Sequence, residues 1–431
     1  MIAQTSTSLP HIVVLGAGFG GLAFCKKFPT EKARITVVDR QNHHLFQPLL
    51  YQVATAGLAA PDIAQPIRGI ISGRPNVTVL MAEVTGIDLN AKSIQLDQGK
   101  LSYDYLLIAL GGVTSYFGHN EWAEHAPGLK SLNDALLIRR NILLAFERAE
   151  TEPDPEKQRE LLTTVVIGGG PTGVELAGAF SELARTALKR DFERIDPTHS
   201  RVLLIEGADR LLLQFPPDLS ASAQRQLEAR GVEVRTSAKV KEIRANEVIL
   251  VDGSSLRAGN IVWGAGVSAV PLTKTLGVEL DRAGRIKVRP DCSLPGHPEA
   301  FAVGDIASLE DKNGKTVPGV SPAAMQMAEH MAKIIEAEIA GKNPSPGERP
   351  AFAYWDKGSM ATIGRSAAVA MVGRFKFSGY FAWLAWLTVH LIFLVGFRNR
   401  FSVLIQWVYS YLTYKRGARI ITGPTARSGM L

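Results

Sequence analysis

Two glycine-rich hexapeptides set the chemistry open to this 431-residue chain, Gly16-Ala17-Gly18-Phe19-Gly20-Gly21 and Gly168-Gly169-Gly170-Pro171-Thr172-Gly173. Such a loop needs glycine at fixed places. One glycine makes the tight turn, one lets backbone approach a pyrophosphate, and one allows close helix–strand packing. The helix that follows turns its positive end toward the phosphates. Asp39 lies 18 residues beyond Gly21 and Glu206 lies 33 beyond Gly173, each placed to accept from a ribose hydroxyl. A carboxylate repels a 2′-phosphate, and Gly207 leaves no adjacent Arg to recruit one. The second loop is therefore expected to prefer NADH over NADPH.

The elements that must hold these loops read as β–loop–α–β, twice. HIVVLG at 11–16 leads into the first loop and RITVVD at 34–39 follows it; TTVVIGGG at 163–170 and RVLLIEG at 201–207 repeat the order. First glycines 152 residues apart imply a duplication or insertion. The excess spacing before Glu206 is assigned to a lengthened, charged helix around LARTALKRDFERIDPTHS. A helix is expected from Pro322 to about Ala340, and GKNPSPGERP at 341–350 reads as the clearest boundary. The fold class is α/β: two Rossmann-like dinucleotide-binding domains (three-layer ββα) with C-terminal membrane-anchoring helices. The expected split is 1–160 and 286–345 for one binding domain, 161–285 for the other, inserted, and 346–431 for the membrane-docking segment.

Composition agrees with an α/β protein: 46% hydrophobic, 21% charged and 40 glycines. The two cysteines, Cys25 and Cys292, form no C-x-x-C and are read as inert packing. MIAQTSTSLPH has no basic n-region and no apolar core, so no signal peptide is expected. The net charge of +7 hides an asymmetry: residues 351–431 carry +9 and the first 350 carry −2. Four of the six tryptophans, Trp355, Trp383, Trp386 and Trp407, share that basic tail. This combination points to an anionic lipid surface, and the long Leu/Ile/Val runs argue against nucleic acid.

Tyr380 to Phe397 is an 18-residue run without charge, about 27 Å long as a helix, marginal for a bilayer core. Beyond Arg398 and Arg400, residues Phe401, Leu404, Ile405, Val408, Tyr411 and Leu412 follow i, i+3, i+4, i+7 spacing; Ser402, Gln406, Ser410 and Thr413 lie off the stripe. Two helices lying in one leaflet are favoured over a single span or a dimerisation or core helix. His390, alone in the apolar run, and the pair His43 and His44 are read as structural rather than catalytic.

The two loops, together with Gly304-Asp305 after the apolar strand AFAV, resemble the pyridine-nucleotide:flavin oxidoreductase superfamily over residues 11–340. YDYLLIALGG and NIVWGAG are similar to its two strand-to-glycine crossovers. HHLFQPLLYQVATAGL (43–58) looks like the flavin-adjacent segment of the type II NADH dehydrogenases and their sulfide:quinone reductase relatives, and Gly173-Val174-Glu175-Leu176-Ala177-Gly178 looks like the type II enzymes. Ser321-Pro322-Ala323-Ala324-Met325-Gln326 resembles that family's A-Q-x-A-x-Q quinone motif, keeping Ala324 and Gln326 but placing Pro322 where the family has Gln.

The resemblance implies FAD as cofactor, bound by Gly16, Gly18, Phe19, Gly20, Gly21, Asp39, Val84, Gly111, Gly304, Asp305 and Ala324. It implies NADH as substrate at Gly168, Gly170, Thr172, Gly173, Glu206 and Gly266. It also implies two-electron transfer from NADH to a membrane quinone without proton pumping. Glu175 is expected to position nicotinamide and assist protonation, Gln326 to line the flavin–quinone junction, and Lys376 to meet a carboxylate or quinone. No metal is expected. The partners are quinone and the membrane lipid surface, with a homodimer left open, and the location is the cytoplasmic face of the cell membrane, monotopic. Two other readings compete. A sulfide:quinone reductase would need paired reactive cysteines, and a membrane-tethered NADH-binding redox sensor would show little turnover.

Overall fold

The computed structural model describes residues 9–312, 314–342, 348–413 and 418–421, with backbone alone at 397–398 and 410–412. Residues 1–8, where the leader question falls, lie outside the described residues, as do Lys415, Arg416 and Arg427 of the basic tail. Two compact units emerge. One comprises Met1–His44, Gln65–Val113 and Val267–Lys357; the other comprises Leu45–Ala64, Thr114–Gly266 and Gly358–Leu431.

The first unit is built on a six-stranded sheet in the order Ser293–Leu294, His297–Ala302, Tyr105–Ile108, His11–Leu15, Arg34–Asp39, Val77–Met81. All neighbours are parallel except the first pair. Every residue of His11–Leu15 is buried, as a central parallel strand with both faces covered requires. The helices Phe19–Lys27 and Ser321–Ile339 join its core through Phe24, Phe28, Ala328, Met331 and Ile335. The antiparallel strands Val84–Asp88, Ser93–Leu96 and Gly99–Ser102 add a second sheet, whose Ile87, Ile94 and Leu96 enter the same core.

The second unit repeats the plan. Its parallel sheet runs Val232–Arg235, Arg201–Ile205, Thr163–Ile167, Asn260–Trp263. A small antiparallel sheet of Val240–Arg244, Glu247–Leu250 and Ser255–Arg257 places Ile243, Val248 and Leu250 in a shared core with Val165, Leu203 and Ile261.

The C-terminal residues are integrated into this unit rather than appended to it. Strands Ser359–Gly364, Ala367–Val372 and Phe375–Ser378 form an antiparallel sheet against the helix Pro171–Glu182. The close point is Gly178, where a Cβ would stand 1.8 Å from the carbonyl oxygen of Ile363. Only glycine permits that approach.

Two local expectations change. The spacing before Glu206 is filled by a single π turn at Leu183–Ala187 and an irregular loop, not by a lengthened helix. That loop has its own anchor: the Glu150 carboxylate accepts from the backbone N–H groups of Glu193, Arg194 and Ile195. The apolar run from Tyr380 breaks into helices Tyr380–Phe393 and Phe397–Thr413, with Gly396 at φ +86° between them. The uncharged 18-residue run is thus not one helix, and among the described residues no helix is long and apolar enough to cross a membrane.

Candidate active site

In the first unit the glycine loop is held by its own acid. Gly16 N–H donates to Val38 O (2.7 Å), Ala17 N–H to Asp39 Oδ2 (2.7 Å) and Gln41 N–H to Asp39 Oδ1 (2.8 Å). A Cβ on Gly16 would meet Ala109 O at 2.4 Å, and one on Gly21 would meet Gly16 O at 1.9 Å. At Gly18 an added Cβ meets nothing, so the middle of the loop faces open space at the N-terminus of Phe19–Lys27. That is the cradle a pyrophosphate needs, and FAD fits it. Gly304 (φ +75°) brings backbone beside Ala324, and Asp305 sits between Gly112 and Gly319, whose added Cβ atoms would lie 3.2 and 3.1 Å from it. Gly111 takes φ +71° with open space before it, and Val84 packs against the core. His44 Nδ1–H donates to Ala17 O (3.0 Å) beneath Phe19, while its buried Nε2 has no partner among the described residues. Burial lowers this histidine to about 4, so it is neutral.

The second loop copies these bonds. Gly168 N–H donates to Ile205 O (2.8 Å), Gly169 N–H to Glu206 Oε2 (2.6 Å) and Ala208 N–H to Glu206 Oε1 (2.7 Å). A Cβ on Gly173 would stand 1.8 Å from Gly168 O, and one on Gly170 meets nothing. Thr172 lies half-buried in the first turn of Pro171–Glu182. The crossover Trp263–Gly266 closes against the loop: an added Cβ on Gly168 would meet Ala265 N at 2.8 Å, and one on Gly264 would meet Gly173 Cα at 3.2 Å.

Glu175 stands three residues before Gly178 and shares its helix face, turned to the C-terminal sheet. It lines an open pocket with Tyr51, Thr362, Trp383, Trp386 and Trp407. Burial pushes its carboxyl up to about 8, opposed in part by the Thr362 N–H, which donates to Oε1 at 3.5 Å. Trp407 Nε1–H donates to Gln52 Oε1 (2.9 Å), and Gln52 Nε2 donates to the Tyr51 hydroxyl (2.8 Å). The buried Trp386 indole N–H has no acceptor among the described residues.

The structure sorts the expected residues. Glu175 is in the pocket; Lys376 is not among its lining residues and instead bonds both carboxylate oxygens of exposed Asp218 at 3.0 Å. The Gln326 amide is already engaged: Nε2 donates to Trp355 O (3.0 Å) and Oε1 accepts from Trp355 N–H (2.9 Å). Of the tail tryptophans, only Trp355 is exposed; Trp383, Trp386 and Trp407 are buried around the pocket. Three of the four indoles taken with the basic charge to indicate a lipid surface are thus pocket wall, because the tail folds back on the second unit. His390 donates Nδ1–H to Trp386 O (2.8 Å) and burial lowers it to about 4, a satisfied structural histidine. Tyr51 and Gln52 were missed individually, although their segment, 43–58, was singled out.

The pyridine nucleotide-disulphide oxidoreductase family matches residues 10–330, and an NDH2 C-terminal domain matches 356–415. The chain is 44% identical to the type II NADH:quinone oxidoreductase Ndh of Mycobacterium tuberculosis, over 96% of this chain and 91% of that one. It is 43% identical to NdhA of the same organism, over 96% and 89%. A solved structure of NDH2 from Plasmodium falciparum with NADH superposes with a TM-score of 0.87 at 22% identity, covering 95% of this chain and 99% of that one. The sulfide:quinone oxidoreductase of Aquifex aeolicus reaches 0.69 at 19% identity, covering 91% and 92%. The chain belongs to the pyridine nucleotide-disulphide oxidoreductases, in the type II NADH:quinone oxidoreductase family.

Proposed function

We infer that the pocket over Glu175 is where quinone is reduced, in an FAD-dependent enzyme that moves two electrons from NADH to that quinone. FAD, when bound, supplies the hydride acceptor and the electron relay. The observation carrying the assignment is the Glu175 carboxyl standing inside a pocket walled by three indoles, where burial pushes it up to about 8. Forming a quinol takes two protons, and neutral Glu175 is an acid poised to give one. The unpartnered Trp386 N–H is a donor available to a quinone carbonyl. Sulfide chemistry needs reactive thiolates. Cys25 and Cys292 are both buried, and burial raises both thiols, Cys25 to about 12.

The same reading assigns the two C-terminal helices to a lipid surface. On Tyr380–Phe393 the outward face carries Phe381, Leu384 and Ile392. On Phe397–Thr413 the expected apolar stripe, Phe401, Leu404, Ile405 and Val408, points outward, while Ser402 and Gln406 turn inward to buried Asp62. This inverts the ordinary globular pattern and suits monotopic insertion. NADH is a soluble cytoplasmic substrate, which assigns the docking to that face. A homodimer through the same apolar face is the competing use. Flotation with anionic vesicles at a monomer's mass supports the lipid reading, and a stable dimer that ignores vesicles overturns it.

Glu175→Gln tests the pocket. Turnover with a soluble quinone should fall ~100-fold, while NADH should still bleach the flavin absorbance at the parental rate. Undiminished quinone turnover would remove Glu175 from the reaction.

A further inference from the structure

Outside the pocket, the loop Ser115–His119 of the second unit carries a backbone conformation that needs explaining. Phe117 has φ +53°, a left-handed conformation that a bulky residue rarely adopts, and its side chain is 68% exposed. Neither solvent nor local propensity favours an exposed phenylalanine there. The surroundings hold it in place. Trp263 Nε1–H donates to Ser115 O (2.9 Å), Ser115 N–H donates to Gly266 O (3.3 Å), and the Tyr116 hydroxyl donates to Ala126 O (2.9 Å). Phe117 packs edge-on to Trp263 with centroids 6.1 Å apart. Gly266, at φ +71°, leaves the ring its room: a Cβ there would meet Phe117 Cζ at 2.8 Å and Ser115 O at 2.8 Å. Strain that the surrounding structure holds in place clusters at functional positions, and here it falls on an exposed aromatic ring.

Strand order sets where the ring stands relative to the expected path of the nucleotide. The parallel sheet runs Val232–Arg235, Arg201–Ile205, Thr163–Ile167, Asn260–Trp263. The glycine loop at the end of the third strand takes the pyrophosphate, and Glu206 at the end of the second takes the adenosine ribose. The nicotinamide half must then run the opposite way, over the end of Asn260–Trp263. Gly266 and Phe117 lie there, three residues past that strand, with Gly264 and Ala265 already against the loop.

We propose that Phe117 is a positioning residue for NADH, an aromatic wall that stacks against the nicotinamide half and leaves the adenosine half to Glu206 and the glycine loop. An exposed, pre-oriented ring costs little to order on binding and shields one face of a planar ligand. The proposal rests on NADH being the substrate of this unit.

The test uses the full-length, FAD-loaded protein. Phe117→Ala should raise KM for NADH about tenfold while leaving kcat, FAD content and turnover at saturating NADH within about twofold of the parent. ADP-ribose, which lacks the nicotinamide, should inhibit parent and variant with the same constant. Phe117→Tyr should restore the parental KM. Phe117→Gly removes the ring and relieves the left-handed strain, so it should melt above Phe117→Ala and yet share its high KM. A parental KM in both ring-less variants overturns the proposal. A parallel rise in the ADP-ribose constant also overturns it, since the loss would then be of the whole loop. Failure of ADP-ribose to inhibit the parent would instead count against the nucleotide assignment of the unit itself.

Discussion

The two nucleotide loops share one hydrogen-bond plan and differ in what closes over them. In the first unit, an added Cβ at Gly20 would strike the Val303 side chain at 2.9 Å and lie 3.5 Å from Ala324 O, so the loop is roofed by Ser321–Ile339. The equivalent stretch of the second loop is Pro171-Thr172, exposed and half-buried, and its helix is covered further along, at Gly178, by the C-terminal sheet. The first loop thus has the enclosure that suits a resident cofactor. The second has the open approach that suits a ligand which must leave on every turnover. One duplicated element has been put to two uses by the packing around it, with the loop chemistry almost unchanged.

The sharpest way to break this comparison is to spoil the same internal contact in both loops. Gly21→Ala and Gly173→Ala each place a Cβ within 2 Å of a backbone oxygen, of Gly16 and Gly168 respectively, with no flexible side chain to give way. Gly21→Ala should yield no flavin-bearing protein, because its loop sits in the centre of the first unit's core. Gly173→Ala should still purify yellow but lose NADH-driven flavin bleaching by ~100-fold or more, an effect of the size expected when a backbone element shifts by an ångström. If Gly173→Ala is colourless too, the two loops are not separable and the contrast drawn from their packing falls.

Much of this was legible in the residues. Glycine spacing, the two terminal acids and alternating apolar runs specify a parallel sheet with a phosphate cradle, because backbone geometry leaves few other uses for such patterns. The pocket around Glu175 was not. Tyr51, Thr362, Trp386 and Trp407 lie up to 356 positions apart, and only tertiary packing gathers them. Composition could say that the tail holds indoles and apolar stripes; it could not say which face of each helix turns inward. Ser402 and Gln406 look like the solvent face of an amphipathic helix until buried Asp62 appears beneath them. The lengthened helix before Glu206 failed for a related reason: three backbone N–H groups found a partner in Glu150, 43 to 45 residues earlier.

A smaller effect should come from the acids. Each carboxylate pins two backbone N–H groups and, in the proposed reading, would also accept from a ribose hydroxyl. Glu206→Gln keeps the shape but exchanges an acceptor oxygen for a donor, so one of the Gly169 and Ala208 bonds is lost. KM for NADH should rise about tenfold, the worth of a charge-assisted bond. The NADH-over-NADPH ratio should shrink by a similar factor, since the repulsion of the 2′-phosphate disappears. Asp39→Asn makes the same change at Ala17 and Gln41 and should loosen FAD without altering nucleotide choice. Measuring both nucleotides on both variants decides it: a changed NADPH preference in Asp39→Asn would mean that the loops had been assigned the wrong way round.

The smallest predicted effect is on stability, and it concerns the group where the second unit departs most from the first. Glu175 holds its proton in the folded chain up to about pH 8, whereas an unfolded carboxyl releases it near 4.5. Below that value both states are protonated and pH has no leverage. Between about 4.5 and 8 the folded state binds more protons than the unfolded one, so stability falls as pH rises, and above 8 the loss levels off. Glu175→Gln carries no such group. Its melting temperature relative to the parent should therefore climb by a few degrees from pH 5 to 8 and then hold steady. Scans at pH 5, 6.5, 8 and 9 in one ionic strength would measure it. A gap that is constant across the series would mean that Glu175 ionises in the ordinary carboxylate range, and the pocket would then need another source for the quinol proton.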